Sequence, residues 1–160
     1  MSIARKLKLL LSYDRRTIAL LVEATCYMGW ARYQLLHRPF AGLAARLGEP
    51  MKETDYEETE AHRKDLARVR HALNLMSEHT FWESKCLVRA VAGMKMLERR
   101  GIESTLYLGT AKNEQGSMIA HAWLRSGPWY ITGAEEMKSF TVTGKFARTM
   151  AFEGRKAMNV

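Results

Sequence analysis

The spacing of apolar residues changes near Phe81, and this change limits the fold of the 160-residue chain more than any other feature. Before Phe81, apolar residues recur every three or four positions, the period of a helix packed on one side. After it, one further helical stripe precedes short segments rich in aromatic and β-branched residues, which are typical of strands. The sequence therefore predicts an α+β protein: a helical N-terminal region over 1–80 and a helix-and-sheet core over 81–160, or both in one compact domain.

The first region is predicted to be helical nearly throughout, with helices over 3–11, 15–37, 40–47 and about 54–78. Pro39 stops the second helix and Gly48 ends the third. The most apolar window, 17–31, contains Glu23 and is shorter than the roughly 20 residues of a bilayer span, so it is predicted to be a core helix. Polar residues from position 12 onward interrupt the N-terminal apolar stretch too early for a signal peptide, which predicts a cytoplasmic protein with no membrane partner.

In the second region, Ser84 is a candidate N-cap for a helix that ends at Arg99, Arg100 and Gly101. Strands are predicted over 104–109, 118–125, 129–132 and 140–142. These short strands, separated by turn signals, are expected to form a small antiparallel sheet against the helix that carries Cys86.

The chain is basic, with a net charge of +8 and an isoelectric point near 9.7. It nevertheless has no zinc-ligand spacing, no aromatic RNA-binding motif and no long basic tract, so a nucleic-acid partner is not predicted. Its two cysteines, Cys26 and Cys86, lie in different settings, so no disulfide is expected. Binding to an acidic patch on a partner protein or on a peptide explains the positive charge as well as binding to nucleic acid would.

Cys86 and His121 are the candidate catalytic residues. The amides and dipole of a helix start stabilise a thiolate, and Cys86 is predicted to lie in the first turn of its helix. His121 lies in the predicted strand 118–125, where alternation places it on one face with Trp123 while Ala122 and Leu124 occupy the other. A cysteine at a helix start followed by a strand histidine is the arrangement that a thiolate–imidazolium pair requires. A buried structural cysteine and a satisfied core histidine are the alternatives.

Three segments in this order resemble the transglutaminase-like cysteine peptidases of lasso peptide biosynthesis, the leader peptidases or B2 proteins. They are Cys86-Leu87-Val88-Arg89-Ala90, then Arg99-Arg100-Gly101-Ile102, then His121-Ala122-Trp123. The resemblance covers about residues 80–146 and implies a transglutaminase-like, papain-like core.

The resemblance implies a cytoplasmic cysteine protease without a cofactor or metal that cuts the leader from a ribosomally made precursor peptide. It implies three partners: the precursor's leader region, a leader-recognition protein (B1-type), and a lasso cyclase that acts on the freed peptide. Because residues 1–80 read as helical and not as the winged-helix-like recognition module, that recognition protein is expected to be a separate chain.

Most relatives place an aspartate on the strand after the histidine strand, where it orients the imidazole. The aspartates of this chain are Asp14, Asp55 and Asp65, all before Cys86. Thr132 is the nearest residue to the expected position and is predicted to take this role, with Glu135 as the alternative. A structural role for Thr132 at the strand end is equally open.

Two other functions are compatible with the sequence. A transglutaminase, a peptide N-glycanase or another acyltransferase would use the same order of cysteine and histidine on the same scaffold. A degenerate, non-catalytic domain that only binds a peptide is the second alternative. The reactivity of the Cys86 thiol distinguishes the binding module from the enzymes.

Overall fold

The computed structural model describes residues 13–57, 60–79 and 86–151. Its helices are α1 (Arg15–His37), α2 (Phe40–Leu47), α3 (Glu60–His79) and α4 (Cys86–Glu98). The bounds predicted for α1 and α2 are confirmed, and α1 ends two residues before Pro39, as the proline requires. The helix predicted over 3–11 and the proposed N-cap Ser84 lie outside the described residues.

The helix predicted from about residue 54 begins later, because residues 52–57 are irregular and Thr54 is held against the sheet. The Thr54 amide donates a 2.9 Å hydrogen bond to Thr105 Oγ1, and Arg125 donates to the Thr54 carbonyl at 2.8 Å. These long-range hydrogen bonds replace the ones that a helix would supply. Just before this segment, β1 (Glu49–Pro50) pairs with the last strand, so the prediction that the first region is nearly all helix was wrong there.

The remaining strands are β2 (Ser104–Lys112), β3 (Met118–Ser126), β4 (Trp129–Thr132) and β5 (Thr141–Arg148). The sheet is antiparallel, in the order β1-β5-β2-β3-β4. β5 is much longer than the predicted strand 140–142. The α+β fold, with the helix that begins at Cys86 packed on a small antiparallel sheet, is confirmed.

Helix α4 lies close to the sheet because its middle residue is a glycine. A Cβ at Gly93 would stand 2.8 Å from Leu124 Cδ2 and 2.9 Å from Leu73 Cδ1, so a larger residue would push the helix away. The Ser126 hydroxyl donates to the Glu103 carbonyl just after the helix, which places the C-terminal end of α4 beside the end of β3. Helix α4 and strand β3 therefore run in the same direction, and the N-terminal end of α4 lies towards the start of β3.

A left-handed glycine ends α4. Gly101 has a φ of 66°, and the Ile102 amide donates to the Leu97 carbonyl at 3.0 Å, closing a Schellman motif. Arg100 makes two hydrogen bonds to the Glu23 carboxylate of α1, at 2.9 and 2.7 Å. The Arg-Arg-Gly-Ile segment thus has a structural role in ending α4 and holding it against α1.

Buried side chains from both predicted regions form one core. It joins α1, α2, α3, α4 and the facing side of the sheet through Leu21, Met28, Leu47, Leu73, Val91, Leu97, Leu106, Leu124 and Ile131. The residues of α1 that face this core (Leu21, Ala24, Met28, Ala31) confirm that it is a core helix. Among residues 13–57, 60–79 and 86–151, no helix has the length and apolar character needed to cross a bilayer.

Candidate active site

Cys86 is the first residue of α4 and is half-buried against the core. The first amides of a helix have no partner within it, so they point at any group placed at the helix start. Cys26, by contrast, is exposed in the middle of α1. Both thiols are free, which confirms that no disulfide joins them.

His121 is buried on β3, with 8% of its surface exposed. Its ring stacks on Trp123 at a centroid distance of 5.8 Å and lies 5.0 Å from Phe140. Ala122 and Leu124 point the other way, into the core, so the predicted alternation is confirmed.

The two nitrogens of the His121 ring have different neighbours. Nε2 lies 2.9 Å from the Gly133 carbonyl oxygen. Because a carbonyl can only accept a hydrogen bond, Nε2 carries the proton in the neutral ring and Nδ1 holds the lone pair. Glu136 Oε2 stands 3.8 Å from Nδ1, close enough to stabilise the ring once it is protonated. The free lone pair at Nδ1 is what a general base needs.

The described hydrogen-bond partner of His121 Nε2 is the main-chain carbonyl of Gly133, one residue after Thr132. Thr132 Oγ1 is buried and has no hydrogen-bond partner within the described part of the chain, while the His121 proton goes to Gly133. Glu135, the alternative, is exposed and makes no described contact with His121. Neither Gly133 nor Glu136 was identified from the sequence, because a main-chain acceptor can belong to any residue type.

Only glycine fits at position 133. Its φ is 73°, and a Cβ there would stand 2.6 Å from the Ala122 carbonyl oxygen and 3.1 Å from His121 Nε2. A side chain would therefore collide with the β3 backbone and displace the imidazole.

Cys86 and His121 lie at the same level of the fold. Gly93, which contacts Leu124, is seven residues after Cys86, or about 10 Å of helix. Leu124 is three residues after His121, which is also about 10 Å of strand. Since α4 and β3 run in the same direction, Cys86 and the backbone of His121 lie towards the same end of the sheet, while the His121 ring is on the face of β3 opposite to Leu124 and α4.

The turn after β4 connects the two sides of the site. β4 pairs with β3 only from Leu124 onward, so the part of β3 that bears His121 has no strand on this side. The turn borders His121 through the Gly133 carbonyl, and it also forms a cleft with Arg89, one helical turn after Cys86. The described contacts include no hydrogen bond between the Cys86 thiol and His121; such bonds often tighten only when a substrate is bound.

Tyr107 and Arg125 hold Trp123, the aromatic residue on which His121 stacks. Tyr107 stacks on Trp123 at 5.5 Å and accepts a 2.9 Å hydrogen bond from the fully buried Arg125. Burial raises the pKa of Tyr107, so its hydroxyl stays neutral. This rigid stack limits the movement of the strand that carries the imidazole.

Among the described residues, no group of three or more histidine, cysteine or acidic side chains is arranged to hold a metal ion. Residues 31–145 match a family model described as the transglutaminase-like superfamily, and this range includes Cys86, His121 and Gly133. No curated protein and no solved structure matches the chain.

Proposed function

Because this chain belongs to the transglutaminase-like superfamily, we propose that it is a cysteine peptidase that removes the leader from a ribosomally synthesised precursor peptide. Members of the superfamily are typically cysteine peptidases or acyltransferases. The resemblance of the Cys86, Arg99 and His121 segments to lasso peptide leader peptidases supports the finer assignment.

The position of Cys86 carries the proposal. A free, half-buried thiol as the first residue of a helix faces unpaired amides, and it stands level with a histidine whose Nδ1 lone pair is free. The amides stabilise the thiolate, and His121 accepts its proton. A cysteine that only packs in the core needs neither the amides of a helix start nor a histidine with a free lone pair.

The reaction proceeds by acyl transfer to sulfur. Cys86 Sγ attacks the scissile carbonyl, and one amide at the start of α4 donates a hydrogen bond to the resulting oxyanion, worth about 3 kcal/mol when well aimed. His121 gives its Nδ1 proton to the departing amine, which leaves a thioester on Cys86. His121 then takes a proton from water, the hydroxide attacks the thioester, and the carboxylate and the free thiol are released.

During these steps the Gly133 carbonyl keeps its hydrogen bond with Nε2, so the proton is exchanged only at Nδ1. Glu136 faces Nδ1 and stabilises the imidazolium that forms when Cys86 is ionised. It is exposed, so solvent screens this contribution.

Mass spectrometry of a peptide library incubated with the protein tests this function. We expect hydrolysed products with the wild type and with the Cys26→Ala variant, and none with Cys86→Ala. Cross-linked products formed with loss of ammonia would instead indicate a transglutaminase, and acylated amines an acyltransferase. Full cleavage by Cys86→Ala would show that Cys86 is not the nucleophile.

A further inference from the structure

A groove between helix α3 and the edge strand β4 leads towards the candidate nucleophile. Its lining from α3 is one stripe of the helix: Arg63, Ala67, Arg70 and Asn74, at spacings of four, three and four residues. Trp129, Tyr130 and Ile131 line it from β4. The part between Arg63, Arg70 and β4 has a volume of about 220 Å³, whereas the cleft at Asn74 and Arg89 has no room for a water molecule.

The groove has basic side chains along its length. The Arg63 guanidinium lies over the Trp129 ring at 5.6 Å, and Arg70 is exposed, with no ion pair or hydrogen bond in the described part of the chain. Arg89 enters the inner end from α4 and donates a 2.6 Å hydrogen bond to Asn74. Glu135 is the acidic side chain in this lining. Beyond Trp129 the charge changes, because Asp55, Glu57 and Glu103 line the next depression.

The inner end of the groove also holds unused hydrogen-bonding capacity. Thr132, 4% exposed, has a buried hydroxyl without a partner among the described residues, and so has Arg89 Nε. Such groups are uncommon in folded proteins, where nearly every buried polar atom is paired. Both belong to the narrow cleft that opens from the Arg70 end of the groove.

We propose that this groove binds the peptide substrate in extended form and holds one acidic side chain of it at Arg70. This proposal rests on the proposed function, since it names the substrate class of the same site. Arg63 pairs with Glu60 at 3.6 Å, but Arg70 and Arg89 against Glu135 still favour a carboxylate, and the aromatic and apolar wall of β4 packs against the peptide chain.

The position of the acidic residue follows from the geometry. Arg70 and Asn74 are one helical turn apart, and Asn74 is bonded to Arg89, which is one turn from Cys86. Each turn rises about 5 Å, and an extended peptide spans about 3.3 Å per residue. The Asn74 and Arg89 side chains add to this distance, so the acidic residue should lie on one side of the scissile bond, at a fixed number of positions from it.

Two variants of the full-length chain test the proposal, both in a Cys86→Ala background so that binding is measured without cleavage. Immobilised Cys86→Ala protein is exposed to a library of random decapeptides, and the retained peptides are sequenced by mass spectrometry. We expect glutamate and aspartate to be enriched about tenfold over glutamine and asparagine, the ratio of one charge-assisted hydrogen bond. Arg70→Gln should abolish this enrichment.

The matched control is Arg68→Gln, which removes the same charge from the same helix. Arg68 is exposed, pairs with Asp65 at 3.8 Å and does not line the groove, so the enrichment should persist. A second arm uses the active protein: in cleaved library peptides, the acidic residue should stand at one fixed number of positions from the cut, and Arg70→Gln should raise KM with little change in kcat.

The possible outcomes separate the two proposals. Cleavage without acidic enrichment, or enrichment lost equally in Arg68→Gln, would overturn the groove assignment and leave the peptidase intact. Acidic enrichment that depends on Arg70 without any cleavage would retain the groove and overturn the peptidase. Enrichment of neutral peptides, or a dimer that dissociates in Arg70→Gln, would show that the groove has a different occupant.

Discussion

At the scale of single residues, the site depends on how one imidazole is held. A backbone carbonyl fixes the His121 tautomer as firmly as a side chain can, but it carries no charge with which to stabilise the imidazolium. Glu136 faces the other nitrogen of the ring at 3.8 Å and is largely exposed to solvent. In the proposed mechanism, the Gly133 carbonyl orients the ring and Glu136 stabilises its charged form.

Removing the imidazole should slow the modification of Cys86 by iodoacetamide. We expect the alkylation profile of His121→Ala to move to higher pH, with a rate at pH 6 about tenfold lower, because no imidazolium stabilises the thiolate. The rate is followed by intact mass in the Cys26→Ala background. His79→Ala is the control, since His79 is exposed at the end of α3. Superimposable profiles for His121→Ala and the wild type would exclude contact between the pair.

Gly133→Ala should reduce cleavage by about a hundredfold or more, because a Cβ at this position displaces His121 Nε2. Gly116→Ala is a matched control. Gly116 has a similar φ of 76°, but a Cβ there meets open space, so this variant carries the backbone strain without the collision. Equal activities of the two variants would show that the Gly133 carbonyl does not orient His121.

At the scale of elements, much of the scaffold could be predicted because apolar spacing specifies it. Helix α2 and strand β4 have the bounds expected from the sequence, since Pro39, Gly48 and the Gly127-Pro128 turn interrupt the patterns sharply. The late start of α3 could not be predicted, because it depends on long-range hydrogen bonds from Thr54. β5 was underestimated since its outer residues are polar and Gly144 interrupts the pattern.

The site, like the fold, could be predicted from the sequence only where a local pattern specifies it. The positions of Cys86 at a helix start and of His121 on one face of a strand could be predicted, because both patterns are visible in the sequence. Gly133 could not, since its role depends on its carbonyl and on a φ of 73°. Glu136 could not either, because its distance to His121 is set by the turn that follows β4.

The end of α4 is tied to β5 by an ion pair whose strength should depend on pH. Burial raises the pKa of Glu98, but the hydrogen bond and charge of Lys95 and the charge of the buried Arg148 outweigh it, so the pKa is lowered overall. Because the folded-state value lies below the ordinary 4.5, the stabilisation is full above that pH and is lost as the pH falls through the lowered pKa.

Glu98→Gln should therefore lower the free energy of unfolding at pH 7 by about 3 kcal/mol, since it removes the carboxylate that pairs with the buried Arg148. The difference from the wild type should narrow below about pH 4.5. Urea unfolding at pH 7 and below pH 4.5 measures the difference in free energy of unfolding between variant and wild type. Glu114→Gln, at an exposed position, is the control. A difference that stays constant down to pH 3 would show that the ion pair does not account for the stabilisation.

At the scale of the whole molecule, one hydrophobic core contains side chains from α1, α2 and α3 as well as from α4 and the sheet. The basic groove lies on the surface, between α3 and β4. Helix α3 has two different faces: Leu66, Val69 and Leu73 pack in the core, while Arg63 and Arg70 line the groove. The first predicted region is therefore expected to contribute to substrate binding as well as to folding.

A separate leader-binding protein should accelerate cleavage of a precursor peptide by about tenfold or more below saturation, because tethering the leader raises the local concentration of the scissile bond. The initial rate is measured with and without the partner. A peptide lacking the leader is the control and should show no acceleration. Equal rates for the full precursor would contradict the proposed division of labour between the two proteins.

The acyl-enzyme provides the most direct test of the central claim, that Cys86 is the nucleophile of a peptidase. Protein mixed with a cleavable peptide is quenched in acid within milliseconds to seconds and digested, and its thioester is located by mass spectrometry. We predict a transient acyl group on Cys86, none on Cys26, and none on either residue in His121→Ala. Peptide cleavage that proceeds with no acyl group on Cys86 at any time, and that survives Cys86→Ala, would contradict the account.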